Sequence, residues 1–151
     1  ALADTVQFCF SKGLGAPIGS ILCGPTDLIT EARYLLKRLG GGMRQVGVIA
    51  AAASVALESR TRLSEDQVLA RRLGEGIAAQ HPAAVSLEQV QSNMVLVRES
   101  GLPQSIAVLQ ERLATEGVRV GSISNDTLRF VTHRDVNAAD VDRVLKVVTE
   151  L

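Results

Sequence analysis

The 151-residue sequence predicts an α/β protein, and three features of its pattern support that class. Short runs rich in β-branched and aromatic residues alternate with longer segments whose apolar residues recur at helical spacing. Glycine and proline residues separate these segments. Hydrophobic residues make up 46% of the chain and charged residues 21%, a balance typical of a folded globular protein rather than a disordered one.

The first segment predicts an antiparallel hairpin. Residues 5–10 and 18–23 both have the composition of short strands. The connecting residues 11–17 contain two glycines and a proline, which indicates a loop. A loop of this length is short enough to join two antiparallel neighbours.

Three helices are predicted next. The first begins after Pro25 and ends at the glycines of residues 40–42. The second, residues 44–58, is apolar on nearly every face, so we expect it to be buried at a domain or subunit boundary. The third has a capping-box pattern at residues 64–67, could begin slightly earlier, and ends at His81-Pro82.

The remaining residues predict a small α/β subdomain. Residues 93–97 resemble a strand, and residues 103–116 have helical spacing. Two further strands are predicted at residues 118–123 and 128–132, followed by a helix capped by Asn137. Taken together, the patterns divide the chain into residues 1–58, 59–81 and 82–151.

Composition argues against several classes of partner. Sixteen basic and sixteen acidic residues leave a formal charge of zero, which favours no nucleic-acid partner. The longest apolar run, residues 46–57, is too short to span a bilayer. Two cysteines are too few for a disulfide framework or a cysteine-only metal site. We therefore expect no metal, and two reduced, buried thiols at Cys9 and Cys23 in a cytoplasmic protein.

The N-terminus lacks the basic and apolar regions of a secretory signal. The chain opens almost directly on a strand, so we expect that preceding chain is missing.

Lys12 is the first candidate for chemistry. It follows an apolar strand and precedes Gly13 and Gly15, which leave room for a bulky group near the backbone. A partly desolvated lysine at a strand end can condense with a carbonyl compound. On the residues alone, a surface lysine in a glycine-rich turn is the commoner case. A P-loop is excluded, because the order Gly-Lys-Ser/Thr before a helix is absent.

Six sequence blocks, distributed in order along the chain, add to the evidence around Lys12. They are Cys9–Ser20, Gly40–Gln45, Ala50–Ala53, Arg62–Asp66, Ser92–Val95 and Leu128–His133. Together they resemble the low-specificity L-threonine aldolase family over essentially the whole chain. That family has the aspartate-aminotransferase-like fold, fold type I among enzymes that use pyridoxal 5'-phosphate (PLP). Gln67 departs from the family, which often has histidine at that position.

The resemblance implies a role for each part of the chain. Residues 1–58 would be the end of a large PLP-binding domain and would contain the cofactor lysine. Residues 59–81 would be a connecting helix, and residues 82–151 a small C-terminal α/β subdomain.

The resemblance also implies four site residues. Lys12 matches the lysine that binds PLP, and Arg129 matches the arginine that holds the substrate α-carboxylate. Arg44 matches an arginine that reaches the cofactor phosphate, and Lys37 a lysine that orders polar groups or water near the substrate. The alternatives are an edge-strand charge for Arg129, a solvated arginine for Arg44 and an ordinary helix-face lysine for Lys37.

Two histidines are weaker candidates. His133 follows the strand of Arg129, but its spacing pairs it with neither a nucleophile nor a metal, so we expect a structural role. His81 precedes a proline, and we expect it to be a loop residue.

The implied activity is PLP-dependent cleavage of L-threonine and L-allo-threonine, which are β-hydroxy-α-amino acids, to glycine and an aldehyde. The family's further cofactor-binding groups lie upstream of the lysine, so we expect this chain alone to be inactive. The resemblance implies a homotetramer. Two alternatives remain: another fold type I enzyme, such as a hydroxymethyltransferase or β-eliminating lyase, and a non-catalytic assembly remnant.

Overall fold

The computed structural model describes residues 2–151. They divide into two units, with the boundary between Thr61 and Arg62. The roles predicted for residues 1–58, 59–81 and 82–151 stay predictions.

The first unit begins with the predicted hairpin. Strands β1 (Val6–Cys9) and β2 (Ser20–Cys23) are antiparallel, with Val6 opposite Cys23 and Cys9 opposite Ser20. The hairpin prediction is therefore confirmed. The prediction of two buried thiols is wrong, since Cys9 is half-buried and Cys23 is exposed, although both are free.

Helix α1 (Thr26–Arg38) follows the hairpin and ends at the glycines, as predicted. Asp27 lies in its first turn and Lys37 in its last, so both charges favour the helix dipole. The backbone of Gly40 has φ +81°, and Gly41 N donates to Leu36 O at 2.8 Å. This left-handed glycine after the last turn is a common way to end a helix.

Helix α2 (Gly47–Glu58) is far more exposed than its sequence suggested. Only Ala53 and Ala56 are buried, and Val48 remains 82% exposed. Within this chain the helix is therefore mostly uncovered, and its burial at a domain or subunit boundary stays a prediction. The two alanines pack with Phe10 and Ala16 in a small apolar cluster.

The second unit has a three-stranded antiparallel sheet and three helices among its described residues. The helices are α3 (Leu63–Gln80), α4 (Ile106–Thr115) and α5 (Ala138–Thr149). The strands are β3 (Met94–Arg98), β4 (Gly121–Ser124) and β5 (Thr127–Val131), in the order β3-β5-β4. Single 3₁₀ turns lie at Arg60–Arg62, Leu87–Gln89 and Glu99–Gly101.

One face of this sheet forms the core. Val95 and Val97 of β3 and Leu128 and Phe130 of β5 are buried in a single apolar cluster with residues of all three helices. Helix α3 packs on β3 and on α5, and α4 packs on α5. Because side chains alternate along a strand, Arg129 of β5 points away from this core.

Two helix starts differ in how they are capped. Asn137 accepts hydrogen bonds from the backbone of Ala139 (2.8 Å) and Asp140 (3.2 Å), and Asp140 Oδ2 accepts from Asn137 N (3.0 Å). The predicted cap of α5 is confirmed. Helix α3 begins at Leu63 with no side-chain cap bond, so its predicted capping box is wrong. Its start lies slightly earlier, as the sequence had allowed.

No helix within residues 2–151 combines the length and apolar character needed to cross a bilayer.

Candidate active-site residues

Lys12 lies in the loop that joins β1 to β2. Gly15 N donates to Lys12 O at 2.8 Å, and Gly15 has φ +81°, a conformation that glycine adopts without strain. A second backbone bond, from Ala16 N to Phe10 O at 2.9 Å, joins the two ends of the loop. The Lys12 side chain is exposed. The hairpin therefore holds the backbone of Lys12 and leaves its amine accessible.

Lys37 and Arg44 flank the glycine segment after α1. Lys37 is exposed in the last turn of that helix, and a Cβ on Gly42 would lie 3.6 Å from its Cγ. The glycine segment therefore passes directly beside Lys37. Arg44 is also exposed and lies between α1 and α2.

The residue after Arg44 has an unusual backbone. Gln45 has φ +52°, the one left-handed residue other than glycine among those that the structure describes. Such conformations are uncommon outside glycine and are found at functional sites more often than elsewhere. Nothing in the sequence pattern predicted this feature.

The first unit also has an apolar groove of about 600 Å³ between the hairpin and α2. Ile18, Ile21, Met43 and Ile49 are among its lining residues. None of the candidates Lys12, Lys37 and Arg44 lines it.

Arg129 lies on the central strand of the sheet in the second unit. Its cross-strand neighbours are Leu96 on β3 and Gly121 on β4. Arg129 Nη2 lies 3.9 Å from the position that a Cβ on Gly121 would occupy, so the guanidinium extends over a residue without a side chain. A guanidinium so placed can bind a carboxylate through two parallel hydrogen bonds.

The four candidate cations have no acidic partner in the part of the chain that the structure describes, as is also true of several other basic residues. Among residues 2–151, none of the ion pairs includes Lys12, Lys37, Arg44 or Arg129. By contrast, Arg62, Arg71, Arg72 and Arg143 each face an acidic side chain. The candidates are therefore available to an anionic ligand, as an exposed cation on any surface would be. The structure places the first three in one unit and Arg129 in the other.

Both histidines make their contacts within the second unit. His133 Nδ1 accepts from Asp135 N at 3.3 Å, and the ring lines a cavity of about 340 Å³ between β5 and α5 that Arg129 does not line. His81 ends α3, and its Nε2 lies 3.4 Å from Val148 O.

Sequence reasoning missed a buried polar cluster near Arg129. Asp66 and Thr132 are 2% and 3% exposed, the two buried polar residues in the part of the chain that the structure describes. The signal for Asp66 was present as an arginine four residues earlier in a helical segment, a spacing that favours an ion pair.

Comparison with solved structures defines the class of fold. The chain matches the crystal structure of a proposed L-allo-threonine aldolase from Listeria monocytogenes EGD-E with a TM-score of 0.70 and 25% identity, over 97% of this chain and 44% of that one. It matches a proposed aromatic amino acid beta-eliminating lyase/threonine aldolase from Exiguobacterium with a TM-score of 0.68 and 22% identity, over 95% and 45% of the two chains. These matches confirm the predicted fold class, an α/β part of the PLP fold type I architecture.

The family follows from sequence. Residues 1–100 match the family model described as beta-eliminating lyase, and the chain belongs to that family. It is 38% identical over 145 residues to low-specificity L-threonine aldolase 1 of Arabidopsis thaliana, covering 95% of this chain and 40% of that protein. The predicted resemblance is thus confirmed. The chain spans about 40% of the length of this relative.

Proposed function

We propose that the protein to which this chain belongs is a PLP-dependent aldolase. It would cleave L-threonine and L-allo-threonine to glycine and an aldehyde. The observation that carries the proposal is the glycine-rich hairpin that presents Lys12, in a chain 38% identical to an L-threonine aldolase over 95% of its length.

The residues of the first unit fit PLP. Lys12 offers an exposed primary amine, the group that condenses with the cofactor's aldehyde. Arg44 offers an exposed guanidinium without an ion pair, which suits a phosphate group. When bound, PLP supplies an electron sink for breaking a bond at the substrate Cα.

Arg129 is proposed to orient the substrate. Its guanidinium would hold the α-carboxylate through two parallel hydrogen bonds from a rigid strand. Fixing the carboxylate fixes rotation about the bond between nitrogen and Cα, and so selects which Cα bond is aligned for cleavage. Lys37 is proposed to order polar groups or water near the substrate.

The family description favours a second candidate, β-elimination from the same class of substrate. Both reactions start from a β-hydroxy amino acid but break different bonds. Aldol cleavage breaks Cα–Cβ, whereas β-elimination removes the Cα proton and the β-hydroxyl.

Product analysis of the full-length protein with PLP separates the two. We expect L-threonine and L-allo-threonine to yield glycine and acetaldehyde in equal amounts. Formation of 2-oxobutanoate and ammonia instead would establish elimination. L-Serine with and without tetrahydrofolate tests the hydroxymethyltransferase alternative. No product from any substrate would favour the non-catalytic alternative and overturn the proposal.

The remaining proposals concern the whole protein. We propose a cytoplasmic homotetramer, and we propose that the 151-residue chain alone is inactive. The second proposal is supported by the relative's greater length, which leaves room for further cofactor-binding residues.

A further inference from the structure

A polar cluster with two buried members lies at the end of β5, three residues beyond Arg129. It consists of Arg62, Asp66, Asn93 and Thr132, and is called the Thr132 cluster below. Thr132 is 3% exposed and Asp66 2% exposed. Buried polar groups are costly unless they are hydrogen-bonded, and in this cluster both are.

The cluster first joins β5 to β3. Thr132 N donates to Asn93 O at 3.0 Å, and Asn93 Nδ2 donates to Thr132 O at 2.7 Å. Thr132 Oγ1 also lies 3.3 Å from Asn93 O. These bonds continue the pairing of the two strands past its last partners, Met94 and Val131.

The cluster also joins β5 to helix α3. Thr132 Oγ1 donates to Asp66 O at 2.6 Å. The Asp66 carboxylate in turn accepts from Arg62 Nη1 at 2.8 Å and Nη2 at 3.0 Å. This hydrogen bond raises the pKa of the Arg62 guanidinium, which favours its charged form. The first turn of α3 is therefore held against the end of β5.

The position of Arg129 depends on this strand rather than on contacts of its own side chain. Its cross-strand neighbours, Leu96 and Gly121, offer no charged group. The pairing register decides which face of the sheet each side chain occupies, and a slip of one residue would turn Arg129 toward the core. Thr132 is buried on the core side, where its hydroxyl bonds Asp66 O and so joins the end of this strand to α3.

We infer that Thr132 and Asn93 are positioning residues that set the place of the Arg129 guanidinium, and so the affinity for the substrate α-carboxylate. The inference rests on the proposed function, because it takes Arg129 as the carboxylate-binding residue. Asp66 and Arg62 support Thr132 from the helix side.

The test compares two ligands of the full-length PLP enzyme. L-Threonine carries the carboxylate, and 1-amino-2-propanol is the same molecule without it. Thr132→Val removes the hydroxyl at nearly constant volume. We expect it to raise KM for L-threonine at least about fivefold and to lower kcat as well, because the carboxylate held by Arg129 also aligns the Cα bond that breaks. The affinity for 1-amino-2-propanol, read from the absorbance of bound PLP, should not change. Thr132→Ser should restore the KM for L-threonine.

A matched variant separates positioning from stability. Val147 is buried in the same apolar core, but it lies on α5 rather than on β5. Val147→Ala should lower Tm as Thr132→Val does, but leave KM for L-threonine unchanged. Should Thr132→Val fail to fold, Asn93→Ala removes one of the strand bonds and should shift KM in the same direction.

Arg129→Ala distinguishes failure of the inference from failure of the proposed function. One outcome overturns the inference and leaves the proposed function standing. In that outcome, Arg129→Ala raises KM for L-threonine without changing the affinity for 1-amino-2-propanol, whereas Thr132→Val and Asn93→Ala do not. The inference is also overturned if Thr132→Val loses affinity for both ligands equally. It is overturned as well if Thr132→Ser does not restore the KM for L-threonine. If Arg129→Ala itself leaves the preference for L-threonine intact, the role proposed for Arg129 is wrong.

Discussion

Charged residues of this chain have two kinds of surroundings. Arg62 makes two hydrogen bonds to the buried carboxylate of Asp66, so loss of the Arg62 guanidinium would leave a buried charge without these bonds. Lys12 and Arg129 are exposed and form no ion pair among residues 2–151. The ion-paired residues stabilise the fold, whereas the exposed cations without an ion pair are accessible to a ligand.

Asp126 carries a prediction at the scale of a single residue. Ser124 Oγ and Thr127 Oγ1 both donate to its Oδ1, and these bonds, Ser124 first, lower the pKa of the carboxyl. We expect Asp126 to titrate below its ordinary range in a carboxyl NMR titration. Ser124→Ala should raise its pKa, whereas Ser122→Ala, also exposed on β4, should not.

The sign of the pH dependence follows. A carboxyl whose pKa is lowered by folding stabilises the native state above its unfolded pKa, and this contribution is lost as the pH falls through the folded pKa. The effect of Ser124→Ala on the free energy of unfolding should therefore be smallest in strong acid. An Asp126 pKa that is indifferent to Ser124 would contradict this account.

Single residues also show the limit of sequence reasoning. The turn around Lys12 was predictable, because glycine and proline punctuate two strand-like runs. Its chemistry was not, and came from the family resemblance alone. The role of Thr132 was hidden as well, since its partners Asp66 and Asn93 are distant in sequence.

At the scale of elements, helix caps give a direct stability test. Asn137 accepts two backbone hydrogen bonds at the start of α5 and completes a capping box with Asp140. Asn137→Ala should lower the free energy of unfolding by about 1 kcal/mol, because two backbone donors lose their partner. Urea denaturation of the chain measures this change.

Ser105 at the start of α4 is the matched control. Its side chain accepts a single bond, from Val108 N at 3.4 Å, which is long for a hydrogen bond. Ser105→Ala should therefore cost less than Asn137→Ala. An equal or larger loss for Ser105→Ala would contradict the ranking.

The types of element were predictable and their limits were less so. Composition rich in β-branched and aromatic residues indicated the strands, and helical spacing indicated the helices, including the stop at Gly40. Strand β4 begins later than predicted, because Gly117 (φ +76°) and the bond from Val118 N to Leu113 O continue the end of α4. Helix α2 shows a different limit of prediction from sequence. Its apolar residues indicate that burial is favourable, but they do not indicate which surface would cover them.

At the scale of the whole molecule, the pattern predicted an α/β fold but not the composition of a site. Lys12 and Arg129 belong to different units, and no sequence period relates them. Their joint role comes from the resemblance, which the match to the beta-eliminating lyase family supports. The site assignment therefore stays a prediction until the cofactor bond is located.

The most direct test of the central claim is borohydride reduction of the full-length enzyme with PLP, followed by peptide mapping. This chain contains three lysines, Lys12, Lys37 and Lys146, so the labelled position is unambiguous within it. The account predicts stable pyridoxyl labelling of Lys12, lost in Lys12→Ala and kept in the control Lys146→Ala. Labelling at another lysine, or undiminished labelling of Lys12→Ala, would contradict it.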